Sequence, residues 1–108
     1  MSSYRVDRTK WAKMNIFEQM GNIGSEVGRA IAAKKRDDTT GRDGAINRAI
    51  DLFDATAENL AQQKSPRLKE VLRARDQFLS LFFADNFADA EAIENYFMQF
   101  ALAARSGR

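Results

Sequence analysis

The stretch from Ile16 to Lys35, IFEQMGNIGSEVGRAIAAKK, constrains the fold more than any other part of the chain. Ile16, Met20, Ile23, Val27 and Ile31 recur at spacings of four, three, four and four. At about 100° per residue they fall on one stripe roughly 80° wide, the signature of an amphipathic helix with a core face. Gly21, Gly24, Gly28 and Ala32 run beside that stripe. Each glycine costs a helix interior about 0.8–1 kcal/mol against alanine, and the compensation is close approach, either of a second helix or of a ligand's phosphate. Gly21-Asn22-Ile23-Gly24 matches the GxxG loop by which KH domains clamp a nucleic-acid backbone. Its place inside a helix-period pattern favours packing instead, so Gly24 and Gly28 are expected to lie against a neighbouring helix.

The rest of the chain repeats the helical period. Asn15 with Glu18 forms an Asn variant of the capping box, and Lys34, Lys35 and Arg36 suit the negative end of the helix dipole, which predicts a helix over 16–36. The run DDTTGRDG (37–44) reads as a polar loop. Ile46, Ile50, Phe53, Ala57 and Leu60 predict a second helix over 45–63, capped by Asp43 or a loop threonine. Ser65 followed by Pro66 predicts a third over 66–84, with Leu68, Leu72, Arg75, Leu79 and Phe82 as its stripe. Arg75 would then sit mid-face, where it must snorkel or pair with an acid. Asp89 is the expected cap of a fourth helix over 89–105, with Ile93, Phe97, Phe100 and Ala104 inward. Residues 1–14 form a basic, aromatic lead-in. No segment alternates with period two, so the fold class is all-α: one domain, an antiparallel up-down-up-down four-helix bundle. Net charge alternates along that order, +5 for 1–36, −4 for 37–63, +3 for 64–84 and −2 for 85–108, a modest bias toward packing oppositely charged neighbours side by side.

Chemistry is restricted by what is missing. The chain has no cysteine and no histidine, which removes thiol nucleophiles, thiolate metal sites and the commonest general base and metal ligand. Asp51, Asp54 and Glu58 lie at helical spacing and read as a solvated face in preference to a cation site. The expectation is a non-enzymatic protein with no cofactor and no metal. The most apolar run, Phe78 to Ala84, is seven residues including Ser80, far short of the roughly 20 residues that span a bilayer. The N-terminus lacks the apolar centre of a secretory signal, so no membrane partner and a cytoplasmic location are expected.

Two surfaces stand out. Leu52, Met98 and Leu102 are expected to project outward, with Leu81 toward the flank of its helix. Met98 and Leu102 adjoin at four residues' spacing, and they read either as a surface for a protein partner or a homo-oligomer, or as ordinary scatter. In the bundle, the start of the first helix, the end of the second, the start of the third and the end of the fourth meet at one pole. That pole collects Arg5, Arg8, Lys10, Lys13, Lys64, Arg67, Lys69, Arg73, Arg105 and Arg108 against Asp7, Glu18, Glu58 and Glu70, while the other pole is acidic. Such a field attracts phosphate, and Trp11 or Tyr4 would stack on an unpaired base. The partner this implies is RNA or single-stranded nucleic acid bound with little sequence preference. The other class is a homo-oligomeric adaptor whose charge serves solubility.

The segments Trp11-Ala12-Lys13-Met14, Ile23 to Ala30, Arg48 to Phe53, Pro66 to Glu70 and Tyr96-Phe97 resemble a family of short prokaryotic all-helical proteins. More loosely, the organisation is similar to the four-helix bundles of the accessory variability determinants of diversity-generating retroelements and of the proteins encoded in 23S rRNA intervening sequences. The first resemblance implies a helical bundle and no activity. The second implies ring-like oligomers and, for the retroelement proteins, nucleic-acid and reverse-transcriptase partners. The Asn-Ile-Ala-Glu-Gly type of segment associated with the intervening-sequence proteins is absent.

Overall fold

Five α-helices and one 3₁₀ turn account for the secondary structure among the described residues, 5–84 and 86–106, of the computed structural model, and no strand occurs among them. They are α1 (Arg8–Ala12), α2 (Ile16–Lys35), α3 (Thr39–Gln62), α4 (Leu68–Phe83), the 3₁₀ turn Phe87–Asp89 and α5 (Ala90–Arg105). Helix α2 starts where its capping box predicts. The Asn15 side chain accepts from Glu18 N at 2.8 Å, and Glu18 Oε1 accepts from Asn15 N at 2.9 Å.

Helix α3 begins six residues before the expected start at 45, because Asp38 is its N-cap and not Asp43 or a threonine. The Asp38 carboxylate accepts from Gly41 N at 2.9 Å. That bond, with help from Arg36, holds the Asp38 carboxyl below its ordinary pKa. Most of the anticipated loop is thus helical. Both α2 and α3 end in Schellman motifs with a non-glycine residue in the left-handed region, Asp37 (φ 57°) and Lys64 (φ 54°). Asp38 N donates to Ala33 O at 2.8 Å and Ser65 N to Leu60 O at 2.9 Å, closing the six-to-one bonds of that motif. Ser65 and Pro66 form a turn before α4 instead of starting it, and the Asp89 side chain makes no cap bond to α5.

Helix α2 packs chiefly against α3 and α5, while α4 packs on α3 and less extensively on α5. Phe53 of α3 stands at the centre, fully buried, with its ring 6.1 Å from Phe78 of α4 and 6.0 Å from Phe97 of α5. The face α4 buries is Val71, Ala74, Phe78 and Leu81. That is the expected stripe displaced by one residue, roughly 100° of rotation. Leu72 is consequently exposed, Leu81 is buried and not at the flank, and Arg75 stands at the edge of the core, paired with Asp54 at 3.4 Å.

The α2 glycines divide. A Cβ on Gly24 would meet Phe97 Cβ at 2.8 Å and one on Gly21 would meet Ala101 Cα at 3.4 Å, whereas one on Gly28 would meet nothing within 4 Å. Gly24 is therefore a packing glycine, and the expectation that Gly28 is one too is overturned. Gly28→Ala should stabilise by up to about 1 kcal/mol through helix propensity. Gly24→Ala should be a net loss, since overpacking of about 1–3 kcal/mol outweighs that gain. Denaturant melts in which both substitutions move stability the same way would refute this division.

Candidate nucleic-acid interface at the basic pole

The lead-in is a structural strap, and this changes what several of its residues are free to do. Asp7 caps α1, its Oδ1 accepting from Thr9 N at 3.0 Å and Lys10 N at 3.1 Å. The segment then lies along α3. Val6 N donates to Asp51 Oδ2 at 2.6 Å, and Arg8 Nη1 donates to Asp51 Oδ1 at 2.8 Å with Glu58 3.6 Å from its other nitrogen. Burial disfavours the Arg8 charge, but the bonds and charges of Asp51 and Glu58 outweigh it, so its pKa lies above the ordinary value. Trp11, only 5% exposed, donates from Nε1 to Thr56 Oγ1 at 2.8 Å.

Three expectations are corrected by the structure. Trp11 is buried and hydrogen-bonded, so it presents no face for a base. Asp51 belongs to a partly buried ion pair, not to a solvated acidic face. Leu52, four residues before Thr56 and so on the same side of α3, is 4% exposed and unavailable as an oligomer contact. Met98 and Leu102 do project outward, at 53% and 55% exposure.

The end of the molecule near the strap gathers the elements that carry the cations. One cleft of about 300 Å³ is lined by Met14 and Asn15 ahead of α2, Asn59, Leu60 and Gln63 at the end of α3, and Ser65 and Arg67 ahead of α4. Gln19 also lines it; its Nε2 donates to the carbonyls of Trp11 at 2.9 Å and Met14 at 3.2 Å, and its Oε1 is a buried acceptor with no partner among the described residues. The guanidinium of Arg67 lies 6.0 Å from the Phe17 ring centre in the first turn of α2, and Phe17 stands 6.4 Å from Phe100 of α5. Tyr96 of α5 donates to Glu70 of α4 at 2.8 Å, and burial, reinforced by that carboxylate, pushes its phenol pKa well up.

Within that group, Arg8 and Arg67 are engaged by carboxylates, Arg67 by Glu70 at 3.6 Å. Arg5, Lys10, Lys13, Lys64, Lys69, Arg73 and Arg105 are exposed and pair with no carboxylate among the described residues. Arg108 and Tyr4 lie outside the described residues. Adding Asp51 to the acids leaves nine described cations against five carboxylates, a surplus of four on a chain whose net charge is +2. The other end is mixed, with Lys34, Lys35, Arg36 and Arg42 beside Asp37, Asp38, Asp43, Asp89 and Glu91. The sequence signals that would have exposed the strap were present but small: Asp7 three residues ahead of Lys10 is a cap, and Trp11 and Met14 share one helical face.

Among the described residues no group of histidine, cysteine or acidic side chains could hold a metal ion, and no helix is long and apolar enough to cross a membrane. Compared with known proteins, the chain matches no family model, no curated protein and no solved structure. The functional reading therefore rests on geometry and charge.

Proposed function

We propose that the protein is a non-enzymatic accessory module that binds RNA or single-stranded nucleic acid through its basic end, in the cytoplasm. The observation that carries this reading is the surplus of exposed, unpaired cations, Lys10, Lys13, Lys64 and Lys69 foremost, at the end that holds the polar cleft. The reading includes an up-down-up-down order of α2, α3, α4 and α5, which brings four helix ends and the strap to that pole. It is supported by the packing of α2 on α3 and α5 and by the cleft that α2, α3 and α4 share. Recognition is electrostatic: backbone phosphates meet lysines on separate elements, and the amide-lined cleft receives a nucleotide where Trp11 offers no stacking face.

Titrating labelled single-stranded RNA at low and moderate salt tests this. Affinity should fall with salt by about 0.7 in log-log slope for each phosphate contact. Charge reversal at Lys10, Lys13 and Lys69 together should abolish binding with the melting temperature nearly unchanged, because none of the three is paired. Lys64→Gly should move the two readouts in opposite directions. It relieves a left-handed side chain, worth about 1 kcal/mol of stability, and removes one phosphate contact. A wild type that binds no RNA even at low salt overturns the proposal.

A further inference from the structure

The second place where sequence and structure leave chemistry unassigned is the groove between α2 and α5. Its floor is Gly21, Gly24, Ser25 and Gly28; its wall is Glu94, Phe97, Met98, Ala101 and Arg105, around a space of about 290 Å³. Four residues of that wall reach the surface, Met98 and Arg105 exposed and Glu94 and Ala101 half-buried, and they are spaced four, three and four apart, a straight seam along α5. The seam opens with an acid, continues through two apolar residues and closes with a base. Neither Glu94 nor Arg105 forms an ion pair among the described residues.

The seam is its own complement. Glu94 and Arg105 are centred on the peptide between Gln99 and Phe100, and so are Met98 and Ala101. A two-fold axis through that point, with one α5 antiparallel to the other, sets Glu94 against Arg105 of a second copy twice over and Met98 against Ala101 of a second copy twice over. An isologous interface requires a surface of this kind, one patch that matches itself on reversal. Leu102 extends the apolar strip on one side. The bare backbone at Gly28, which a Cβ would leave untouched by any neighbour, lets the second helix approach closely.

We infer that the α2–α5 groove is a homodimer interface, with α5 of a second copy as its occupant, apolar at the centre and closed at each end by a Glu94–Arg105 ion pair between copies. The pairing is antiparallel, so the two basic ends point in opposite directions, and each copy meets RNA separately. This inference does not depend on nucleic-acid binding.

Sedimentation equilibrium over a wide concentration range tests it by charge exchange. The wild type should fit a monomer–dimer equilibrium. Glu94→Arg alone and Arg105→Glu alone each turn two attractions into two repulsions, and each should weaken the dimer about tenfold or more. The double variant carrying both changes should recover most of the loss, which a merely misfolded protein would not do. Met98→Glu, on a residue already exposed in the monomer, should give monomer with an unchanged helical circular dichroism spectrum. A wild type that is monomeric throughout, a larger closed ring, a dimer indifferent to Glu94→Arg, or a double variant as weak as the singles would each overturn the inference.

Discussion

Phe53→Ala is expected to remove about 3–5 kcal/mol of stability, the range for emptying a fully buried phenylalanine site. Phe53 has no exposed surface, and its ring is set against Phe78 on one side and Phe97 on the other. The hole therefore opens between three helices at once, where collapse in one direction widens the gap in another. Domains of this kind have only about 5–15 kcal/mol in total. At roughly 4 °C for each kcal/mol, the melting temperature should drop by ~12–20 °C. Urea unfolding should show the lower midpoint with the same slope. A loss below about 1 kcal/mol would mean that Phe53 is not the centre of this core.

The second large effect belongs to Trp11. Trp11→Ala should cost about 3–5 kcal/mol, because the indole is the apolar anchor by which the strap covers α3. Trp11→Phe isolates the polar part. It keeps most of the ring but leaves the Thr56 hydroxyl, fully buried, without its 2.8 Å donor, at a cost of about 1–3 kcal/mol. Trp11→Phe with Thr56→Val should be more stable than Trp11→Phe alone, since replacing both partners leaves no orphaned polar atom. If Trp11→Ala melts like the wild type, the strap frays without consequence and the indole is free to serve elsewhere.

How much of this was legible in the sequence differs from helix to helix. Helix α2 could be read to within one residue at either end, because cap, period and closing cations agree. The start of α3 could not, because two glycines and two threonines within DDTTGRDG have poor helix propensity, and the cap at Asp38 together with tertiary packing overrides it. Helix α4 is ambiguous by construction. LKEVLRARDQFLSLFF carries two interleaved apolar rows, and counting leucines selects the one that includes Leu72. Arg75 was the available clue, since the alternative row avoids placing a guanidinium mid-face, and that row is the one the core uses.

At the candidate site, the basic residues were readable as a set, but their availability was not. Whether an arginine faces phosphate or a carboxylate depends on a partner far along the chain, and periodicity reports only neighbours three and four residues away. Arg8 and Asp51 are 43 residues apart. The misreadings of Trp11 and Asp51 thus share one cause, the return of the lead-in onto α3. Met98 and Leu102 were read correctly as outward-facing, because no described segment covers that side of α5.

That same return separates the order of synthesis from the order of folding. Val6, Arg8 and Trp11 find their partners 45, 43 and 45 residues further on, so during translation they wait until most of α3 has left the ribosome. The α2–α3 hairpin needs only local closure and can form first. The strap is then laid onto a helix pair that already exists. For that interval an indole and a valine travel exposed on the nascent chain, flanked by Arg5, Arg8, Lys10 and Lys13, whose charges keep the segment in solution and away from its neighbours.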